Sequence, residues 1–547
     1  MVSPSGLPLT LPLWLAAIAP LGLVLVLLIW RRWKAPSAAA VGWFLAAALA
    51  LWVFEAAPAI IALQSVKGVW DALFIAYVIL PALLLYEICD EAGAFRAIRS
   101  GIEVITPNRL LHVLAFAWVF PSFLQGITGF SAPIAVAAPL LLAIGVRPVW
   151  AVVLPIIGHA WGKTFGTLGI AWEALVRVAD TADPALLVLV TGIMLGLAAV
   201  LGGVAIAWLF GRWRAIAESW PVLVVCGLLM AGGQLAIAYV APNLSALVPS
   251  AAALLAILVF ARLRYRSPTR IDSGLLAEDG GQARHEATAH PTPSRHPPMP
   301  LWLAFGPYLL LTVLMMVVEL VPAIRDPLAS LRFGLPFPGY ATGYDVETAP
   351  TPAYRAFSPL VHPGTVLLLT SVLAFAYFRI RGYIPGRRID DITVDALRTS
   401  IPTVMALAAF VPLALVMEGA GMTLQLAAGL GEVATPPVYV LLSPLVGALG
   451  GFLMGSNLSA NILFGPLQEQ AAQALGVEPA FVLAAQTAGA AIGSSLALPA
   501  VLMGLGVVGA HGQVADALKR MFPFVAVTLA LLALVALAGT MLHPVGG

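Results

Sequence analysis

The chain's first helix-length apolar run reads LPLWLAAIAPLGLVLVLLIW, from Leu11 to Trp30. An α-helix rises about 1.5 Å per residue, so about 20 such residues cross the hydrocarbon core of a bilayer. Three later runs, residues 184–210, 220–241 and 522–542, also reach this length. Only 10% of the 547 residues are charged, whereas soluble domains carry roughly 25%. Because the runs lack the period-two alternation of a membrane barrel, the sequence predicts an all-α polytopic membrane protein.

The positions of the basic residues predict how the chain is threaded through the membrane. Lys and Arg cluster beside apolar runs, and one threading with about 12 full crossings places every cluster in the cytoplasm. Residues 109–147 and 437–478 must then enter and leave on the same side. Each segment is too long for one helix and carries Gly, Pro and Ser near its middle, which favours a re-entrant helical hairpin. Two full crossings per segment satisfy the charges equally well.

The order of charge and hydrophobicity at the amino terminus indicates a retained first helix. Arg31, Arg32 and Lys34 follow the first apolar run, whereas a secretory signal has its basic residues in front. The net charge of +2, without a basic stripe, gives no indication of a nucleic-acid partner. We expect a multi-pass protein of the inner (plasma) membrane, surrounded by lipid.

Changes in composition divide the chain into six predicted parts. Residues 267–300 are rich in Pro, His, Ser and charge, which predicts a disordered cytoplasmic linker. His285, Glu286 and His290 within it have the wrong spacing for a metal motif, so no metal site and no cofactor is predicted. The parts are N-terminal helices (1–69), a first transport repeat (70–210), scaffold helices (211–266), the linker (267–300), scaffold helices with an external loop at 325–362 (301–394), and a second transport repeat (395–547).

The two transport repeats resemble each other in sequence. Residues 145–148 (GVRP) recur at 476–479 (GVEP), an offset of 479 − 148 = 331. Upstream, residues 123–126 (FLQG) recur at 452–455 (FLMG), an offset of 452 − 123 = 329. Glycine is common in this chain, so the colinear order of the matches carries more weight than any one of them. This pattern predicts an internal duplication.

The charges that flank the two hairpins predict opposite orientations. Arg109 and Arg147 flank the first hairpin, whereas Glu432 and Glu478 flank the second. By the positive-inside rule the first opens inward and the second outward. Inverted repeats of this kind build alternating access in many secondary transporters, with the binding site near the membrane midplane. The alternative is that Gly and Pro only ease helix packing.

Both predicted hairpin tips are rich in small residues and hydrogen-bonding side chains. Irregular backbone at membrane depth exposes N–H groups and helix N-termini that can bind an anion. A tight turn that merely requires small polar residues is the alternative interpretation. The substrate-binding candidates at the tips are Gln125, Thr128, Ser131, Ser456, Asn457, Ser459 and Asn461.

Two titratable residues follow the first hairpin. His159 and Lys163 are four positions apart and would share a helix face. A cation at membrane depth is costly and usually functional, which makes Lys163 a candidate counter-charge for a carboxylate. His159 titrates near neutrality and could carry a proton. Alternatively, Lys163 reaches the outer interface and His159 packs between helices.

Two carboxylates at predicted helix ends are further candidates for proton coupling. Glu87 and Glu418 each precede a hairpin. The alternative is that they lie in interfacial water.

At the hairpins and the helices after them, the sequence resembles the L-lactate permease family. Residues 123–133 (FLQGITGFSAP) and 455–465 (GSNLSANILFG) carry most of the resemblance, which covers about 70–210 and 395–540. It implies proton-coupled uptake of short 2-hydroxy monocarboxylates such as lactate or glycolate. It also implies an elevator movement and a possible homodimer.

The chain departs from this family's pattern in both repeats. Residues 158–166 (GHAWGKTFG) contain a lysine where the family usually has an Asn-containing, lysine-free sequence. Residues 493–499 (GSSLALP) lack the family's Gly-Lys and Ser-Pro-Gln elements. The basic residue has thus moved from the second copy to the first.

Other functional classes remain as alternatives at this stage. A sodium-coupled carboxylate carrier or a sodium/proton exchanger of similar build could use oxygen ligands from Thr128, Ser456 and Asn457. An intramembrane enzyme would need a nucleophile and a base facing each other, and no pair in the sequence has persuasive spacing. The sequence therefore predicts a transporter rather than an enzyme.

Overall fold

A computed structural model gives the fold of most of the chain. It describes residues 7–31, 33–129, 132–179, 181, 183–276, 299–384, 386–510 and 512–543. The substrate-site candidate Ser131 lies outside the described residues, as do His285, Glu286 and His290 of the linker.

The described chain is mostly helical. Within α5 the residues Ala115–Val119 form a π-helical turn, and short 3₁₀ turns follow α7 and α19. The helices are α1 (Leu11–Ile29), α2 (Ala35–Trp52), α3 (Pro58–Glu91), α4 (Ala94–Ile105), α5 (Arg109–Ile127), α6 (Ala132–Ala143), α7 (Pro148–His159), α8 (Gly166–Val178), α9 (Pro184–Ala238), α10 (Leu247–Leu263), α11 (Leu301–Ala304), α12 (Gly306–Leu320), α13 (Pro322–Ala329), α14 (Pro363–Ile380), α15 (Ile389–Gly419), α16 (Met422–Val433), α17 (Pro436–Met454), α18 (Asn457–Ala474), α19 (Pro479–Gly493), α20 (Leu498–Val507) and α21 (Val514–Leu542).

Many of these helices are long and apolar enough to cross a membrane. Within the described residues eleven helices qualify, or up to twelve if α12 and α13, bent by 80° at their junction, form one span. Helix α9 has 55 residues and is interrupted at Gly211 and Arg212. At about 1.5 Å per residue it is long enough for two crossings. The prediction of a polytopic helical membrane protein is confirmed.

The two halves of the chain follow the same succession of helices. Helices α4 and α16 both have 12 residues, and each begins after a glycine in the left-handed region, Gly93 (φ 78°) and Gly421 (φ 82°). Gly145 (φ 93°) and Gly476 (φ 65°) likewise end α6 and α18 at the 331-residue offset. Residues with a Cβ rarely adopt this conformation, so glycine is required at these turns. The succession α3 to α9 is thus repeated as α15 to α21, and the opposite orientation of the copies stays a prediction.

Equivalent glycines bring equivalent helices into close contact. A Cβ on Gly158 would lie 1.9 Å from the carbonyl oxygen of Ala117, so α7 packs directly on α5. A Cβ on Gly489 would lie 2.1 Å from the carbonyl oxygen of Pro444, so α19 packs directly on α17. Gly489 is the equivalent of Gly158 at the offset of 489 − 158 = 331. Small residues allow such approach where helices are buried among other helices.

The predicted external loop contains β-structure, which corrects the all-α prediction. Strand β1 (Phe333–Phe337) pairs antiparallel with β4 (Thr351–Phe357), and β2 (Tyr340–Ala341) pairs with β3 (Glu347–Thr348). Prolines disfavour a helix in residues 333–357, while aromatic and β-branched residues favour extended backbone. We call residues 333–357 the β-cap, and it packs against the first half of α3.

The first ten residues of the linker are ordered, so the prediction of disorder is wrong for residues 267–276. The carbonyl oxygen of Leu275 accepts a hydrogen bond from the backbone N–H of Arg147 at 2.8 Å. The Thr269 hydroxyl donates to Glu218 Oε2 at 3.1 Å. Leu275 is buried, and this apolar contact together with the hydrogen bonds fixes the segment against α9 and the start of α7.

Candidate functional site

A helix is broken at closely corresponding places in the two repeats. Helix α7 gives way to a 3₁₀ turn at Ala160–Lys163, and α19 gives way to one at Ser494–Leu496. After the first break, Thr167 (φ 51°), Leu168 (φ 53°) and Gly169 (φ 75°) all have positive φ. Two consecutive non-glycine residues in the left-handed region store strain, which is found most often at functional sites. The two breaks therefore mark the candidate site.

Lys163 connects the two breaks. Its ammonium donates hydrogen bonds to the hydroxyl oxygens of Ser494 at 3.1 Å and Ser495 at 2.9 Å. The Ser494 hydroxyl in turn donates to the carbonyl oxygen of Ala491 at 2.9 Å. An ammonium group has three donors, and the serines take two of them. One donor is left for a ligand such as a carboxylate oxygen.

The tip of the second hairpin contacts both breaks. We call the place where they meet the junction, and it comprises Lys163, Thr164, Asn457, Asn461, Thr487, Ser494 and Ser495. Asn457 Nδ2 donates to Thr164 Oγ1 at 3.0 Å. One turn later, Asn461 Nδ2 donates to the carbonyl oxygen of Ala171 at 3.0 Å and to Thr487 Oγ1 at 2.8 Å. The Thr164 and Thr487 hydroxyls are 3.2 Å apart. These residues are buried, so a polar network joins hairpin 2 to the broken helices of both repeats.

Ser456 and Ser459 form the N-cap of α18, and Thr128 hydrogen-bonds to the end of α5. The Ser456 hydroxyl accepts from the backbone N–H of Ser459 at 3.3 Å, which is an N-cap for α18. The positive end of the α18 dipole therefore lies at the tip. At the first hairpin, the hydroxyl and N–H of Thr128 both donate to the carbonyl oxygen of Leu124 at the end of α5.

Gln125 lies against the first break. A Cβ on Gly166 would lie 2.6 Å from the backbone oxygen and 2.8 Å from Nε2 of Gln125. A Cβ on Gly162 would lie 3.4 Å from Gln125 Cγ. The structure thus brings Gln125 next to the break that carries Lys163.

The hydrogen bond of the His159 ring is made within its own helix, and not across the junction. His159 is buried, and its Nδ1 pairs with the carbonyl oxygen of Pro155 in its own helix. A carbonyl oxygen can only accept, so Nδ1 carries a proton. Its role as a proton carrier stays a prediction.

The two proposed proton-coupling carboxylates lie at helix ends rather than at the tips. Glu87 is in the last turns of α3, one turn before Glu91, which pairs with Arg387 at 3.3 Å. Glu418 is at the end of α15 and interacts electrostatically with Lys67, Asp71 and Arg355. Neither position tests the proposed role in coupling.

Sequence reasoning missed four residues of the junction. Thr164 and Thr487 lie beside the breaks, and Ser494 and Ser495 are uncharged, so no single-residue signal distinguished them. The 331-residue offset did align Ser494 with Lys163, and this alignment could have indicated a contact between them.

A buried ion cluster lies between α3 and the β-cap. The Asp71 carboxylate, fully buried, accepts from Arg177 Nη1 at 3.3 Å, Arg355 Nη1 at 2.5 Å and the Tyr354 hydroxyl at 3.0 Å. Burial opposes the charge on Arg355, but Asp71 and Tyr354 outweigh it and raise the pKa of Arg355. The guanidinium of Arg177 also stacks over the ring of Phe74 at 3.3 Å. The cluster joins α3, α8 and the β-cap.

No group of three or more His, Cys, Asp or Glu side chains in the described part of the chain is arranged to hold a metal ion.

Together, the fold and the site define a multi-pass helical membrane transport protein whose two repeats meet at paired helix breaks. The chain belongs to the L-lactate permease family, whose model matches residues 14–546. It is accordingly a multi-pass protein of the plasma membrane.

Individual relatives cover nearly the whole chain. The chain is 26% identical over 521 residues to the glycolate permease GlcA of Escherichia coli (strain K12), which covers 91% of this chain and 90% of the relative. It is 28% identical over 533 residues to the L-lactate permease of Salmonella typhi, with 92% of each chain covered. The crystal structure of the Alcanivorax borkumensis YdaH transporter aligns with 88% of each chain at a TM-score of 0.43 and 15% identity.

Proposed function

We propose that this protein is a secondary active transporter that imports lactate or glycolate together with protons by alternating access. Membership in the L-lactate permease family supports the class of substrate. The relatives include proteins named as L-lactate and glycolate permeases. Both acids are short 2-hydroxy monocarboxylates, so one site could accept either.

The contact between Lys163 and the serines of the second break carries the proposal. A carboxylate needs a fixed cation and hydrogen-bond donors, and a lone ammonium in the membrane is costly. Ser494 and Ser495 hold the Lys163 ammonium at the junction of the repeats and leave it one donor. The substrate carboxylate would take that donor, close to the N-terminus of α18.

Alternating access would follow from repeats of opposite orientation. Hairpins 109–147 and 437–478 would expose the site to one side and then to the other, as in other carriers built from inverted repeats. An elevator movement of the hairpins and broken helices, re-entrant hairpins and a homodimer belong to the same proposal. Protons would be carried by His159, Glu87 or Glu418.

A sodium-coupled carrier is the second candidate. The observation that favours it is the density of oxygen atoms at the tip of hairpin 2, from Asn457, Asn461, Thr164 and Thr487. Hard cations prefer oxygen ligands of this kind.

Uptake of labelled L-lactate and glycolate by the purified full chain in proteoliposomes tests the proposal. We expect uptake to follow an inward proton gradient at equal sodium on both sides, and to be absent from protein-free liposomes. Uptake that follows a sodium gradient at equal pH would show that the coupling ion is sodium and not the proton. If neither acid accumulates under any gradient, the substrate assignment is wrong.

A further inference from the structure

The orientation of the Asn461 side chain leaves one of its polar atoms without a partner. Nδ2 donates to the carbonyl oxygen of Ala171. A backbone carbonyl can only accept, so the amide cannot be turned around. Oδ1 of Asn461 is therefore a buried acceptor for which no donor exists among the described residues.

A second buried oxygen without a partner lies one turn earlier. Asn457 Nδ2 donates to Thr164 Oγ1, and its Oδ1 also has no donor within the part of the chain that the structure describes. Residues four apart lie on the same face of a helix, so both oxygens belong to the first turns of α18. A buried acceptor without a donor loses the hydrogen bonds it made with water.

The junction is therefore complementary to a ligand with two chemical features. At the Lys163 end, the ammonium with the Ser494 and Ser495 hydroxyls suits a carboxylate. At the α18 end, the two amide oxygens repel a carboxylate and suit a hydrogen-bond donor such as a hydroxyl group. A 2-hydroxy monocarboxylate carries both features on neighbouring carbon atoms, whereas a 2-oxo acid or an unsubstituted acid lacks the donor.

We infer that Asn457 and Asn461 accept hydrogen bonds from the 2-hydroxyl group of the substrate and thereby select 2-hydroxy acids over acids without that group. This inference rests on the proposed function, since it assigns the part of the substrate that the same site recognises. Sites that hydrogen-bond a substrate hydroxyl reject the analogue that lacks it, because their own polar groups are then left unpaired.

Competition against labelled L-lactate uptake in proteoliposomes tests the inference. In the unaltered protein, propionate, which has no hydroxyl, should compete at least about 10-fold more weakly than L-lactate. In Asn461→Ala and Asn457→Ala, L-lactate should become a weaker competitor while propionate changes little. The ratio of their inhibition constants should therefore fall about 10-fold.

Gln234→Leu is the matched control. Gln234 is a fully buried amide on α9 whose Nε2 donates to the carbonyl oxygen of Gly192 and whose Oε1 also lacks a partner among the described residues. The substitution removes the same chemical group, a side-chain amide, at a place outside the junction. The ratio of the inhibition constants of propionate and L-lactate should therefore not change. Because the measurement on the unaltered protein involves no substitution, the inference stays testable even if an asparagine variant fails to fold.

Three results would overturn the inference while lactate transport itself stands. The first is equal competition by propionate and L-lactate in the unaltered protein. The second is an unchanged ratio of the two inhibition constants in both asparagine variants when these are folded. The third is a sodium dependence of uptake in the unaltered protein that disappears in the asparagine variants, which would make the two oxygens a cation site. Absence of lactate and glycolate uptake by the unaltered protein would instead reject the proposed function, and the inference with it.

Discussion

The Lys163 ammonium donates a hydrogen bond to Ser494, the residue that occupies its own position in the second repeat, since 494 − 163 = 331. Two residues related by a twofold axis can touch only beside that axis. In the proposed inverted arrangement, this contact would lie beside the axis where the two copies meet, which is where carriers with inverted repeats place their site.

Replacement of Lys163 by alanine should abolish lactate uptake while the protein stays folded. The substitution removes the only charge at the described junction, and Ser494 and Ser495 can be satisfied by water. Uptake should fall at least about 100-fold, because hydrogen-bonded charges contribute more than neutral pairs. Proteoliposome uptake measures this, with Lys519→Ala as control, since Lys519 is exposed on α21. Near-normal uptake by Lys163→Ala would remove Lys163 from the site.

The contact with Ser494 predicts that the charge can be moved between the repeats. Lys163→Ser combined with Ser494→Lys places an ammonium close to its original position, because the two side chains touch. This double variant should retain at least about one-tenth of the uptake of the unaltered protein, because the loss of one well-aligned hydrogen bond lowers a rate by about 10-fold. Lys163→Ser alone lacks the cation, and Ser494→Lys alone places two like charges together, so both should lose uptake. A double variant no better than either single one would contradict the arrangement.

Close packing at the repeated glycines predicts a loss of stability on adding one methyl group. Gly158→Ala would place a Cβ 1.9 Å from a backbone carbonyl oxygen, and Gly489→Ala would place one at 2.1 Å. Overpacking of this kind costs about 1–3 kcal/mol or more. Gly232→Ala is the control, because its Cβ would meet nothing within 4 Å in helix α9. Thermal unfolding in detergent should show lower midpoints for the first two variants and an unchanged or higher midpoint for the control.

The Asp71 cluster predicts that the β-cap is held by buried charge. Asp71→Asn leaves Arg177 and Arg355 without their shared carboxylate, which should cost about 3–5 kcal/mol. Asp390→Asn is the control, since its pair with Arg388 is exposed and such pairs contribute about 0–1 kcal/mol. Equal unfolding midpoints for the two variants would show that the cap is held by its apolar contacts instead.

Labelling from each side of the membrane tests the threading. Cysteines introduced for Ser330, next to the β-cap, and for Asp272, in the ordered start of the linker, would both be exposed. The native Cys89 and Cys226 are buried and should react little. A membrane-impermeant maleimide should label Ser330→Cys only from outside and Asp272→Cys only from inside. Labelling of both from one side would refute the predicted arrangement.

The paired helix breaks were only partly predictable. Glycines at positions 158, 162, 489 and 493 marked the helices and their correspondence. The ends of α7 and α19 and the left-handed backbone at Thr167 and Leu168 were not predicted, because propensity does not favour that conformation in these residues. Similarly, the polarity and the prolines of the segment at 325–362 indicated an external loop that could form an ordered cap, but its residues did not predict the pairing of β1 with β4.

The sequence by itself determined that this protein lies in a membrane, that its halves are related, and that Lys163 is unusual. Each of these depends on local run length, spacing or charge, which can be read along the chain. Only the tertiary structure decided what Lys163 touches. Ser494 and Ser495 are more than three hundred residues away along the chain, and their contact is set by how buried glycine-rich helices pack, which no local pattern specifies.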